Sequence, residues 1–198
     1  MDFMTELCRL DEKKIILASQ SPRRITILRE LGLHFIVSPA YIDESITHYS
    51  DPVDYARQLA YRKGSVVWQR ERADLVIAAD TVVTIDHQIL EKPGNPEAAR
   101  EMLRRLSGRT HRVITALALF FSEGEILDHE STRVTFYPLT DPEIELYLQT
   151  EEPFDKAGAY AIQGGAALFV QKIEGDFYNV VGFPVAKFYQ HLKKIFLF

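Results

Sequence analysis

The sequence contains one cysteine, Cys8, in 198 residues. A lone cysteine excludes an internal disulfide and is typical of proteins from a reducing compartment. No apolar run is long enough to span a bilayer, and residues 1–13 mix acidic and apolar positions, unlike the core of a secretory signal. We therefore expect a soluble, cytoplasmic protein that contacts no membrane. The net charge of −5 at pH 7 also argues against binding to a nucleic acid backbone, which needs many surface cations.

Several catalytic signatures are missing as well. The sequence has no G-x-x-x-x-G-K-[ST] phosphate loop and no G-x-G-x-x-G fingerprint, so kinase-type NTPases and dinucleotide oxidoreductases lose support. It has no G-x-S-x-G motif, and Cys8 has no nearby histidine, which weakens acyl-transfer hypotheses. The six histidines are scattered singly, without the spacing of zinc ligands.

What is present begins with an apolar run that stops at two serines. Residues 15–18 predict a short buried strand, after which a helix begins. Ser21 is a good N-cap, Pro22 suits the first helical position, and Gly32 is placed to close the helix in a left-handed turn.

The first turn of this predicted helix carries two arginines, Arg23 and Arg24. A helix start has partial positive charge, so an exposed cation there costs a few tenths to about 1 kcal/mol. An anion bound by free N–H groups, the Ser19 hydroxyl and the two guanidinium groups explains this choice of residues. Two solvated arginines at the start of an ordinary surface helix explain it without any function.

A second informative stretch covers residues 74–85. Its first half is an apolar run typical of a strand buried on both faces, yet it contains Asp80. A buried carboxylate is costly unless it is paired, hydrogen-bonded or bound to a metal, although a strand-end aspartate that turns outward fits equally well. Residues 86–87 predict a turn, and the returning strand would bring Glu91 and Lys92 back towards the sheet end. Together these cations and carboxylates suit phosphoanhydride chemistry assisted by a hard divalent cation.

The remaining pattern alternates helices and strands. Helices are predicted after caps at Asp51, Asn95 and Thr140 and from Pro184, and strands over 34–37, 112–121, from a turn at 123–125 to about 136, and over 169–176. Lys63 would lie late in its helix, where a cation is ordinarily favourable. This alternation predicts an α/β fold with a mixed, twisted central sheet, and the strand-rich second half predicts a second lobe with a cleft between the two. We interpret residues 1–13 as a short variable leader.

Five motifs in order resemble the Maf family of nucleoside triphosphate pyrophosphatases, also called septum formation inhibitors. They lie at residues 19–24, 79–81, 91–93, 107–111 and 156–164, and residues 179–184 add a sixth. The resemblance covers residues 15–192, so the chain of residues 1–198 is interpreted as a single Maf-like domain. It implies a mixed twisted sheet flanked by helices, in two lobes with an active-site cleft.

The resemblance also implies the reaction and its residues. The reaction is hydrolysis of the α–β anhydride of a nucleoside triphosphate, with Mg²⁺ or Mn²⁺, and Asp80 would be the proton acceptor for the attacking water. The residues implied to hold the triphosphate are Ser19, Arg23, Arg24, Lys63 and Lys92. Those implied to hold the metal or the water, with Asp80 as a further metal ligand, are Glu44 and Glu91. Metal and cations would neutralise charge on the leaving pyrophosphate.

Three residues resemble the branch of the family that acts on dTTP and UTP, namely Arg24, Thr81 and Gln163. The amide of Gln163 can donate and accept hydrogen bonds at once, which matches the imide edge of uracil or thymine, including modified pyrimidines. Two departures from the family pattern are small: Gln20 replaces a small residue, which affects the loop conformation, and Ala161 replaces a common glycine, which would tighten the base pocket.

A second hypothesis comes from the family name. The chain would be a nucleotide-binding regulator of cell division or septum formation that does not need turnover. The apolar tail at residues 195–198 would then pack on a partner, on the body or on a second subunit. A homodimer is expected from the resemblance alone.

Overall fold

The computed structural model describes residues 2–150 and 152–197. The chain divides into two compact units. The first unit comprises Met1–Asp80, Thr115–Glu130 and Gly182–Phe198, and the second comprises Thr81–Ile114 and Ser131–Val181. No helix among the described residues is both long enough and apolar enough to cross a membrane.

The strands form one mixed sheet. They are β1 (Ile15–Leu17), β2 (Ile36–Val37), β3 (Leu75–Ile85), β4 (Gln88–Leu90), β5 (Thr110–Phe121), β6 (Gly124–Phe136) and β7 (Val170–Glu174). Their order is β2-β1-β3-β5-β6-β7, with β4 paired to β3. β1 is parallel to both β2 and β3, whereas β4 runs antiparallel to β3 and β7 antiparallel to β6. The predicted mixed α/β sheet is therefore confirmed.

The α-helices are α1 (Phe3–Leu7), α2 (Pro22–Glu30), α3 (Pro52–Arg70), α4 (Pro96–Leu106), α5 (Asp141–Leu148), α6 (Phe177–Val181) and α7 (Val185–Phe196). The four predicted N-caps are confirmed, since the side chains of Ser21, Asp51, Asn95 and Thr140 each accept a backbone N–H of the first turn. Each of these caps is followed by a proline in the first turn, because proline lacks the N–H that would be unsatisfied there.

The close approach of α3 to the sheet depends on Gly64. A Cβ at this position would lie 2.3 Å from Phe120 Cε2 on β5 and 3.2 Å from Ala78 Cβ on β3. Only a residue without a side chain lets the helix backbone come this near, and Lys63 immediately precedes Gly64 in the helix. The packing of α3 therefore decides how near Lys63 comes to β3.

Described residues near both ends of the chain belong to the first unit. Thr5 of α1 donates through Oγ1 to the carbonyl of Gly32 at 2.7 Å, and Cys8 is fully buried, so residues of the predicted leader belong to the core. In the predicted apolar tail, residues 195–197 are half-buried and the ring of Phe196 lies 5.9 Å from Lys13 Nζ. Phe198 lies outside the described residues.

Several parts of the chain differ from the predicted elements. Helix α6 has no counterpart among the predicted elements, and residues 152–169 form three short 3₁₀ turns, Glu152–Asp155, Ala157–Ala159 and Gly165–Phe169. The predicted strand over 34–37 is only the two-residue β2. The alanines and glycines of residues 157–165 permit close backbone approach, but they do not specify the turn type that results.

Candidate active site

In the loop after β1, two hydrogen-bond donors point to the Ser19 hydroxyl. The N–H of Ala18 donates to the carbonyl of Ile77 at 2.8 Å, so the loop leaves the sheet beside β3. Ser19 is buried, and its Oγ accepts from the Ser21 N–H at 3.2 Å and from Arg24 Nη1 at 3.3 Å. A serine hydroxyl has two acceptor positions and one proton, so Ser19 directs its O–H as a donor to a further group.

Arg24 is buried rather than solvated. Its Nε donates to the carbonyl of Gly182 at 2.8 Å, which ties the start of α2 to the segment before α7. Burial lowers the pKa of Arg24, the nearby charge of Asp80 raises it, and the charge of Arg23 lowers it. A guanidinium remains protonated even so. The interpretation of two solvated surface arginines is therefore wrong for Arg24, and the cation at this helix start is held by protein oxygens. Arg23 is half-buried beside it.

Lys63 lies between two carboxylates. Its Nζ is 2.8 Å from Asp80 Oδ1 and 2.9 Å from Glu44 Oε2. The side chains of Lys63 and Asp80 are 13% and 11% exposed, whereas that of Glu44 is 59% exposed. The alternative that Asp80 turns outward is wrong, because it is a buried carboxylate with a charged hydrogen-bond donor. Lys63 likewise differs from an ordinary surface cation at the end of a helix.

The two carboxylates fit the donor set of a hard cation. Mg²⁺ in proteins is commonly held by one or two carboxylates together with substrate phosphates and water. Glu44 and Asp80 converge on one point, which is the position of Lys63 Nζ. Over residues 2–150 and 152–197, no group of three or more His, Cys, Asp or Glu side chains could hold a metal ion, so phosphate oxygens would have to complete the shell. Glu91, the third predicted ligand, is exposed and belongs to the second unit.

The other predicted site residues lie in the second unit, where Gly158 contacts the strand and loop that carry several of them. The N–H of Gly158 donates to the carbonyl of Glu91 at 3.3 Å, and a Cβ at Gly158 would lie 2.9 Å from Val83 Cγ1. Val83 and Thr81 face the same side of β3, because alternate residues of a strand do so. The segment that leads to Gln163 therefore packs against the strand that carries Thr81. Thr81 is half-buried, and the exposed residues of this group are Glu91, Lys92 and Gln163.

The sequence analysis did not identify two residues that contact the loop carrying Gln163. Tyr147 is a buried residue of α5, and Glu152 belongs to no sequence pattern that marks function. Both side chains accept backbone N–H groups from the loop that carries Gln163, from Ala161 and Gly165 respectively. Both contacts span more than ten residues of chain, so no local spacing rule could have found them.

The fold is that of a mixed α/β protein, and the first turn of α2 carries Arg23 and Arg24, the latter beside the buried Ser19 hydroxyl. The chain belongs to the Maf family, since the family model described as Maf-like protein matches residues 14–195. This match confirms the resemblance that the motifs indicated.

Three similar curated proteins share the same name. The protein of Bacillus cytotoxicus named dTTP/UTP pyrophosphatase is 47% identical over 182 residues, covering 92% of this chain and 95% of that protein. Proteins of the same name from Bacillus cereus and Bacillus mycoides are 45% and 46% identical over the same shares of both chains. Among solved structures, the Ham1 protein of Staphylococcus aureus is similar over 63% of this chain and 72% of its own, with 13% identity and a TM-score of 0.47.

Proposed function

We propose that this protein hydrolyses dTTP and UTP, and related modified pyrimidine triphosphates, to the nucleoside monophosphate and pyrophosphate. The names of relatives at 45–47% identity support this substrate class. The single structural observation that carries the proposal is the buried Asp80 carboxylate, held 2.8 Å from Lys63 Nζ in the same unit as Ser19 and Arg24.

In this proposal the triphosphate is met by hydrogen-bond donors and positive charge. The Ser19 hydroxyl donates to a phosphate oxygen, because its acceptor positions are already used by Ser21 and Arg24. The cations assigned to the phosphates are Arg23, Arg24, Lys63 and Lys92. Positive charge placed before the reaction stabilises the negative charge that develops on the leaving pyrophosphate, and it does so without reorganisation.

Asp80 is the proposed proton acceptor. A water molecule attacks the α-phosphorus, the bond from that phosphorus to the α–β bridging oxygen breaks, and the proton of the water passes to the Asp80 carboxylate. Lys63 fixes this carboxylate through Oδ1. Glu44 and Asp80, together with phosphate oxygens, are the ligands proposed for Mg²⁺ or Mn²⁺, which would supply further charge neutralisation when bound. Glu91 is assigned to the attacking water.

Base selection is assigned to Arg24, Thr81 and Gln163. The Gln163 amide can accept from the N3–H of thymine or uracil and donate to its O4. Arg24 already donates to Gly182 and Ser19, so we assign its influence on selection to the position of the loop after β1. We further propose that the reaction is cytoplasmic and that the single Maf-like domain acts as a homodimer.

The test is a nucleotide panel in which monophosphate, diphosphate, pyrophosphate and phosphate are resolved. With dTTP in ¹⁸O-labelled water, attack at the α-phosphorus places the label in dTMP and leaves pyrophosphate unlabelled. The Asp80→Asn variant should lose about 10²- to 10⁴-fold in kcat, the usual contribution of a positioned general base. Asp86→Asn, an exposed aspartate of the β3–β4 turn, is the matched control. Label in pyrophosphate, or wild-type kcat in Asp80→Asn, would overturn the proposal.

A further inference from the structure

The loop that carries Gln163 is held at two points, equally far from Gln163 along the chain. Two residues before it, the N–H of Ala161 donates to Tyr147 Oη at 3.2 Å. Two residues after it, the N–H of Gly165 donates to Glu152 Oε2 at 3.0 Å. Both acceptors are side chains from outside the loop, so the backbone of residues 161–165 is fixed on both sides of an exposed glutamine.

The two acceptors lie near each other. Tyr147 is buried and packs edge-on against Phe169, with ring centroids 5.3 Å apart. Burial raises the pKa of Tyr147, the hydrogen bond from Ala161 lowers it, and the charge of the nearby Glu152 carboxylate raises it. Both residues lie against the Gly165 end of the loop, since a Cβ there would be 3.4 Å from Glu152 Oε2 and 3.4 Å from Tyr147 Cε2.

Gly164 gives independent evidence that the Glu152 carboxylate occupies a fixed place. A Cβ at Gly164 would lie 1.2 Å from Glu152 Oε1 and 2.3 Å from Glu152 Cδ. The φ of Gly164 is −120°, which any residue adopts, so backbone strain does not explain the glycine there. The space that a side chain would need is filled by the carboxylate. Two consecutive glycines, Gly164 and Gly165, would otherwise make this loop adaptable.

We propose that Tyr147 and Glu152 are positioning residues that fix the amide of Gln163 for thymine and uracil and against cytosine. This inference rests on the proposed function. Thymine and uracil present an N3–H donor beside the O4 acceptor, whereas cytosine presents an N3 acceptor beside an amino donor. A fixed backbone limits the distance and direction from which the amide reaches the base edge, while a mobile two-glycine loop would let the amide adjust its position to either pattern. The pair therefore contributes selectivity by limiting where the amide can go.

The first test is the Tyr147→Phe variant, which keeps the ring packing and removes the hydroxyl. We expect the ratio of kcat/KM for dTTP to that for dCTP to fall about tenfold, mainly through a higher KM for dTTP, while kcat for dTTP stays within about threefold of wild type. Glu152→Gln and Gly164→Ala should move the ratio in the same direction, the latter by displacing the carboxylate. Matched controls are Tyr137→Phe and Glu101→Gln, exposed residues of the same unit, and they should leave the ratio unchanged.

A second readout does not depend on catalysis. Hydrogen exchange of the Ala161 and Gly165 amides should become at least tenfold faster in Tyr147→Phe and Glu152→Gln, and not in the controls. Unchanged exchange would overturn the inference, as would equal losses of kcat/KM for dTTP and dCTP, because a merely structural role lowers both alike. If the wild type does not hydrolyse dTTP, the proposed function fails and the selectivity role fails with it, while the exchange rates still decide whether the pair holds the loop.

Discussion

The close contact at Gly64 leads to a prediction that joins stability to activity. In Gly64→Ala the new Cβ would lie 2.3 Å from Phe120 Cε2 and 2.8 Å from Phe120 Cδ2. Non-bonded carbons do not approach this closely, so the ring or the helix must move. The Phe120 ring is 4% exposed and lies 5.4 Å from the Tyr61 ring, which leaves it little room.

Two opposing effects set the size of the change. Alanine is better than glycine in a helix interior by about 1 kcal/mol. Overpacking a well-filled core costs about 1–3 kcal/mol. We therefore expect a net loss of about 1 kcal/mol in the free energy of unfolding. Because Lys63 adjoins Gly64, displacement of α3 also lengthens its 2.8 Å contact with Asp80, and dTTP hydrolysis should fall with stability.

Urea unfolding followed by circular dichroism measures this change. Gly94→Ala is the matched control, since a Cβ there would meet nothing within 4 Å, and it should be neutral or stabilising by up to about 1 kcal/mol. A second substitution, Phe120→Leu, should recover part of the loss in the Gly64→Ala background by making room. If Gly64→Ala is instead stabilised by the full helix-propensity gain, the close packing of α3 on the sheet is refuted.

Three further predictions concern single side chains. Lys63→Met leaves the Asp80 carboxylate without its ammonium donor, so we expect dTTP hydrolysis to fall at least about 100-fold, measured by pyrophosphate release. The free energy of unfolding should fall by about 1–3 kcal/mol, the cost of leaving a buried acceptor unsatisfied. Burial lowers the pKa of His111 from 6.5 to about 3. Below pH 6.5 the unfolded chain binds a proton at His111 that the folded protein does not bind. The free energy of unfolding should therefore fall by about 2 kcal/mol between pH values above 6.5 and pH 5. His111→Gln should flatten that dependence of the urea midpoint. Thr140→Ala removes the capping box of α5 and should cost about 1 kcal/mol of unfolding free energy, while an unchanged thermal midpoint would contradict the role of the cap.

Elements set by local chemistry were predictable from the sequence. The starts of α2, α3, α4 and α5 follow from a capping side chain with a proline after it, and both features act within one helical turn. The β3–β4 hairpin likewise turns at Asp86 and His87, whose φ values of 52° and 62° suit a tight two-residue turn. Such signals need no knowledge of the rest of the chain.

Contacts between distant parts of the chain were not predictable. Arg24 donates to a carbonyl 158 residues away, and nothing near Arg24 in sequence marks Gly182 as its partner. In sequence, Lys63 has the pattern of an ordinary helical lysine. Its pairing with Asp80 depends on how closely α3 packs at Gly64, and the local pattern does not indicate this. The motifs that resemble the Maf family named these residues, but the order of residues alone did not indicate which of them touch.

The lysine at the centre of the candidate site is held by two partners that differ in their exposure to solvent. Glu44 lies in the irregular stretch between β2 and α3 and faces water, whereas Asp80 sits inside the sheet. Added salt weakens ion pairs with a solvent-exposed partner, whereas buried pairs are screened much less. Rising ionic strength should therefore weaken the contact between Lys63 and Glu44 more than the contact between Lys63 and Asp80.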